Sequence, residues 1–140
     1  MCLTTSIISP RTRGAAQRAL GAGGELAAAN YLRQRGYRIL ATNVRLPMHA
    51  HGGEIDILAM DGDVLCFVEV KSRRTRHSDP SEAVGSSKRK QLIALADAYL
   101  SLNESPPDLL CRFDVVSVVF GAGTRCPTRV ELVKNAFWPE

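Results

Sequence analysis

Residues 54 to 71 read EIDILAMDGDVLCFVEVK, two apolar runs on either side of Asp61-Gly62-Asp63. Asp-Gly between apolar runs is a strong short-range signal for a β-hairpin, so strands are predicted over 54–60 and 64–71. The second run is apolar on both faces through Val68, the pattern of a central strand covered on both sides. Glu69 and Lys71 follow. Side chains alternate along a strand, which puts Glu69 and Lys71 on one face of theirs, and Glu54 and Asp56 on one face of the other. A two-residue Asp61-Gly62 loop pairs Met60 with Asp63, Asp56 with Phe67 and Glu54 with Glu69. All four charged groups then share a face, with Asp56 diagonal to Glu69 at roughly 7 to 8 Å between backbones. A three-residue loop would separate the acids, so their convergence predicts the turn.

Carboxylates gathered on a half-buried face repel one another, and a single lysine cannot offset them all. A divalent cation reconciles them. Mg²⁺ prefers oxygen ligands, is held by one or two carboxylates, and keeps its other positions for water and substrate phosphate. Lys71, two residues beyond Glu69, is placed to orient or deprotonate an attacking water and to offset negative charge developing at phosphorus. A further acid is available upstream. Gly21, Glu25, Ala28 and Leu32 follow helical spacing, so Glu25 lies on a stripe of small and apolar residues expected to face the sheet.

Working outward, residues 14–35 read as a first helix, with Gly36 where a helix C-terminal glycine belongs. Gly21, Gly23 and Gly24 each cost about 1 kcal/mol against alanine inside a helix, so close packing or access to a site is expected there. GAGGE is not a dinucleotide fingerprint, because no strand precedes it and its glycine spacing is wrong. A weak strand is predicted over 37–46, interrupted by Thr42 and Asn43. Residues 72–85 read as a polar loop, and 87–102 as a second helix with Leu92, Leu95, Ala96 and Tyr99 inward. Strands over 109–120 and 129–133 complete the order αβββαββ, an α/β chain with a mixed sheet flanked by helices. The 140 residues suit one domain over 14–140, preceded by a flexible N-terminal segment, 1–13.

The net charge of +4 is unevenly placed. Lys71, Arg73, Arg74, Arg76, Lys88, Arg89 and Lys90 face only Asp79 and Glu82 within that stretch. A basic segment in an otherwise balanced chain is the footprint of a polyanion partner, most simply nucleic acid. Arg73, Arg74, Arg76, Lys88, Arg89 and Lys90 are the expected backbone contacts. Cys2, Cys66, Cys111 and Cys126 have no metal or redox spacing and read as buried or incidental thiols of a reducing compartment. With neither a secretory signal nor a membrane span, a cytoplasmic protein is expected. Asp114 in an apolar run is accounted for by pairing with Arg112. Gln91, near the basic start of the second helix, is a further candidate to reach the site. No nucleophile elbow, zincin or phosphate-loop pattern is present.

The segments GAGGE (Gly21 to Glu25), AxxYL (Ala28 to Leu32), GGEIDILA (Gly52 to Ala59), FVEVKSR (Phe67 to Arg73) and RFDVV (Arg112 to Val116) together closely resemble the YraN-like family of bacterial proteins. That family is similar to Holliday-junction resolvases and to the wider PD-(D/E)xK, or restriction-endonuclease-like, nucleases. The resemblance implies a single restriction-endonuclease-like core and Mg²⁺- or Mn²⁺-dependent cleavage of DNA phosphodiester bonds. It implies metal ligation by Asp56 and Glu69, assistance by Lys71 and an accessory acidic role, ligation included, for Glu25. Junction-cutting relatives act as dimers, so a homodimer is compatible with it. The other reading is a module that keeps the nuclease fold and binds nucleic acid without cutting. Two departures stand out. Ile55 precedes Asp56 where the superfamily's name has proline, and 46–53 (LPMHAHGG) is longer than the usual connection, adding His49 and His51, which read as surface histidines.

Overall fold

The computed structural model describes residues 13–46, 53–74, 84–121 and 126–138. The readings of the N-terminal segment, of His49 and His51, and of Arg76 lie outside them. The elements run α1 (Arg13–Gln34), β1 (Arg38–Val44), β2 (Ile55–Asp61), β3 (Val64–Arg73), α2 (Ser86–Leu102), β4 (Leu110–Phe120) and β5 (Pro127–Phe137), the order the sequence predicts.

The strands form one five-stranded sheet in sequence order. β1–β2, β2–β3 and β4–β5 are antiparallel, and β3–β4 is parallel. A parallel neighbour cannot be reached by a tight turn, and α2 supplies the crossover. β3 is the middle strand, which explains its unbroken apolar run from Leu65 to Val68.

Each face of the sheet has its own core. On one, Ala28, Ala29 and Leu32 of α1 pack on Ile57, Ala59, Cys66, Val68, Val116 and Val118. On the other, Leu92, Leu95 and Ala96 of α2 cover Leu58, Leu65, Phe67, Phe113 and Val115. Alternation along β3 decides which residues meet which helix. Glu69 and Lys71 share parity with Phe67 and therefore belong to the α2 face.

The local devices follow from residue type. α1 ends with Gly36 at φ +90°, and the amides of Gly36 and Tyr37 bond the carbonyls of Arg33 and Leu32 at 3.0 Å each, the Schellman closure. Gly24 is buried where α1 crosses β3, and a Cβ there would overlap the Ser72 hydroxyl, so close packing explains this glycine. Gly21 has open space beside it. β1 is irregular as its polar residues foretell, with a bulge between Ile39 and Ala41 and Asn43 at φ +52°.

β5 is longer than expected, 127–137 rather than 129–133. Its ladder slips between the pairs Val115–Val133 and Phe113–Phe137, and Asn135 stands at φ +54°. The slip breaks the alternation that a sequence pattern relies on. Its displaced Asn135 amide donates to Asp114 Oδ1 at 3.0 Å.

Cys66 and Cys111 are free thiols as expected, whereas Cys126 is disulfide-bonded and corrects the reading of four thiols. Among the described residues no helix is long and apolar enough to cross a membrane.

Candidate functional site

The β2–β3 hairpin closes with Asp61 paired to Val64, leaving Gly62-Asp63 as the two-residue loop. Gly62 has φ +59°, and glycine at the first loop position is what a type II′ turn requires. The expected register, with Asp61-Gly62 in the loop, is therefore corrected: Met60 pairs with Leu65. A shift of two preserves every face. Continuing the ladder one step beyond Ile57–Val68 sets Asp56 directly opposite Glu69 rather than diagonal to it.

Both acids are buried, Asp56 at 8% and Glu69 at 4% exposure. Asp56 Oδ2 accepts the Val70 amide at 2.9 Å, which fixes the carboxylate over the end of β3. Glu69 Oε1 has two ammonium neighbours, Lys71 Nζ at 3.6 Å and Lys88 Nζ at 3.7 Å. Its other oxygen, Oε2, is buried and has no hydrogen-bond partner among the described residues. Burial and then the Asp56 charge push the Glu69 carboxyl up to about 7, against the pull of the two lysines. Burial also raises Asp56, opposed chiefly by the Val70 amide.

Glu25 arrives from α1 and Glu54 from the residue before β2. Their carboxylate oxygens and that of Asp56 lie within 4.8 Å of one another. Glu25 is raised from its ordinary value by burial and by Asp56, and is partly offset by a hydrogen bond from the Asn43 side chain. The residue that interrupts β1 is thus a neighbour of the site. Arg45 Nε holds Glu54 Oε2 at 3.2 Å. Gly53, at φ +106°, leads the chain into Glu54, and a Cβ there would collide with the Gln91 amide. Gln91 of α2 therefore packs against the residue that precedes Glu54.

The structure brings Glu25, Asp56, Glu69 and Lys71 to one end of the sheet, where β2 begins and β3 finishes. Two members were missed as such. Glu54 completes the tight acidic trio, a role its shared face with Asp56 already signalled. Lys88, expected as a backbone contact, lies on Glu69; three bases among the first five residues of a helix are the signal, because the helix N-terminus disfavours cations. The remaining bases are dispersed. Arg73 ends β3, Arg74 Nη1 bonds the Gly121 carbonyl at 3.3 Å, and Lys90 is exposed. Arg89 donates to the Val84 carbonyl at 2.9 Å and sits 5.8 Å over the Phe137 ring.

The donor set is all carboxylate oxygen, which suits a hard divalent cation rather than a thiol- or imidazole-seeking metal.

Fold and site together define a mixed α/β domain with a partly buried acidic cluster beside two lysines at the end of its central strand. Residues 24–118 match the model of uncharacterised protein family UPF0102. The chain belongs to this YraN-like family. A UPF0102 protein of Symbiobacterium thermophilum is 49% identical over 122 residues, covering 86% of this chain and 97% of its own length. One from Chlorobaculum parvum is 46% identical, covering 84% and 91%. One from Clostridium kluyveri is 39% identical, covering 84% and 93%.

Proposed function

We propose that this protein has a restriction-endonuclease-like core and is a Mg²⁺- or Mn²⁺-dependent endonuclease that hydrolyses DNA phosphodiester bonds, branched or processed DNA included. The observation that carries this reading is Glu69. A carboxylate 4% exposed, facing a second buried acid and keeping, among the described residues, one oxygen without a hydrogen-bond partner despite two nearby lysines, is costly, and a divalent cation would relieve it. Asp56 and Glu69 would hold the ion, with Glu25 and Glu54 as further oxygen donors. When bound, it supplies Lewis-acid polarisation of a phosphate oxygen.

The chain's own residues do the rest. Lys71 shares Glu69's face of β3 and reaches it at 3.6 Å; beside a bound ion its ammonium would orient an incoming water and offset charge developing on phosphate. The Val70 amide fixes the orientation of the Asp56 carboxylate. Arg73, Arg74 and Lys90 would offer positive charge to a DNA backbone, a contact that carries no base sequence.

The test is incubation with labelled duplex, single-stranded, flapped and four-way-junction DNAs, with and without Mn²⁺. Cutting is expected only with the ion, lost in Glu69→Gln and reduced roughly 100-fold or more in Lys71→Ala. No cutting of any substrate, or cutting retained by Glu69→Gln, overturns the enzyme reading. DNA binding without cutting would favour the non-catalytic module.

A further inference from the structure

The two lysines on Glu69 are not equivalent. Lys71 extends from β3 itself, whereas Lys88 comes from the first turn of α2, and both ammonium groups approach the same oxygen, Oε1, at 3.6 and 3.7 Å. α2 begins in an unusual way for a helix of 17 residues: its N-cap is Gly85 with no side-chain cap bond, and its first turn has no acid. Lys88, Arg89 and Lys90 instead follow one another near the positive end of the helix dipole. That arrangement is unfavourable until an anion faces it. Of the three, Arg89 is occupied by the Val84 carbonyl, Lys90 is turned to solvent, and Lys88 alone points to the acids. Its side chain is 31% exposed, so it remains open to solvent and to a ligand.

We propose that Lys88 is a second phosphate-facing amine of this centre, held on Glu69 in the ion-free protein and handed to a nucleic-acid phosphate oxygen when a divalent ion takes the carboxylates. The inference rests on the phosphodiesterase reading. A cation ligated at about 2.0 to 2.6 Å lies well inside the 3.7 Å at which Lys88 stands from Glu69, so the carboxylate's charge is claimed by the ion. Lys88 is then a cation on a cationic helix terminus, and a backbone phosphate is the ligand whose charge and oxygen acceptors fit it. Lys71 stays with the reacting atoms, while Lys88 fixes the position of the backbone.

The experiment uses the full chain and a fluorescein-labelled 20-base-pair duplex, with affinity followed by anisotropy across a salt series. Wild type, Lys88→Met, Lys88→Arg and Glu69→Gln are each measured with and without Ca²⁺, an oxygen-seeking ion. With Ca²⁺, the salt slope of Lys88→Met should fall below wild type by about 0.9, the loss of one phosphate contact, and Lys88→Arg should restore it. Without Ca²⁺, Lys88→Met and wild type should agree, because the amine is then committed to Glu69. Glu69→Gln frees the amine without an ion and should show the steeper slope in both conditions. Equal slope losses with and without Ca²⁺ would make Lys88 an ordinary surface contact and overturn the handover. Unchanged slopes throughout, or no measurable binding, overturn it too. Cutting is scored separately with Mn²⁺, so a protein that shows the handover but never cleaves refutes the enzyme and not the role of Lys88. Should Ca²⁺ leave the wild-type melting temperature unmoved, the metal reading fails, and the Glu69→Gln arm still decides whether a freed Lys88 gains a phosphate.

Discussion

Two of the carboxylates buried in this sheet, Asp114 and Glu69 on neighbouring strands, have surroundings that could hardly differ more. Asp114 is 0% exposed and satisfied on both oxygens. Arg112 bonds it through Nε at 2.8 Å and Nη2 at 3.1 Å, the Tyr37 hydroxyl donates at 3.1 Å, and the Asn135 amide at 3.0 Å. Arg112 continues to Asp61 at 2.8 Å, which Lys134 joins at 3.2 Å. Among the described residues, Glu69, 4% exposed, has two lysines beyond 3.5 Å, a second buried acid in Asp56 and an oxygen with no hydrogen-bond partner. The first carboxylate is built to hold the fold. The second is left incomplete, as the proposed ion site requires.

The comparison breaks most visibly under mutation. Asp114→Asn should cost about 3 to 5 kcal/mol, because it strips charge from a buried network and leaves Arg112 partly uncompensated. For a domain of this size that is a fall in melting temperature on the order of ten degrees. Glu69→Gln, a change of the same chemistry, should leave the ion-free protein unchanged or more stable. Thermal unfolding of both variants in a chelator decides it, and equal losses would erase the distinction.

Ion binding sharpens the contrast at the next scale. A ligand that binds only the folded state stabilises it by about 2.7 kcal/mol at a hundredfold excess over its dissociation constant. Mn²⁺ should therefore raise the melting temperature by several degrees, with a smaller response to Mg²⁺ and none in Glu69→Gln. Asp114→Asn should keep the response if it folds. A shift that survives Glu69→Gln would move the ion elsewhere.

The smallest effect is on pH. The Glu69 carboxyl is pushed from an ordinary 4.5 up to about 7 in the folded protein. Between those values the folded state binds more protons than the unfolded chain, so stability falls as pH rises through the window. The steepest slope one such group allows is about 1.4 kcal/mol per pH unit. In chelator, the melting temperature should decline from pH 5 to pH 7 more in the parent than in Glu69→Gln. Parallel profiles would mean that Glu69 does not titrate there.

Much of this was legible in the sequence, and the rest was not for definite reasons. The element order followed from apolar periodicity and from glycine at the helix end. The shared face of Asp56 and Glu69 survived a register error because side-chain parity is blind to a shift of two. Arg112 with Asp114 was readable, being two residues apart on one strand. Tyr37 and Asn135 were not, since their bonds to Asp114 join residues 77 and 21 positions apart. The slip in β5 hid its length, because a displaced residue erases the alternation that identifies a strand. Lys88 had no signal toward Glu69 in particular, only the oddity of bases at a helix start.

The Gly62-Asp63 turn has a consequence in time. Asp56 and Val70 are 14 residues apart, and the loop between β2 and β3 is two residues long, so the opposed acids meet at little cost in chain entropy. Hairpins form in about 1 to 10 μs, whereas a parallel pair such as β3–β4 must wait for its crossover helix. Local closure thus favours early apposition of Asp56 and Glu69, before α2 docks and delivers Lys88. The partners of Asp114 are gathered over much longer stretches of chain. One carboxylate meets its opponent early and is relieved late, while the other is assembled only as the sheet is completed.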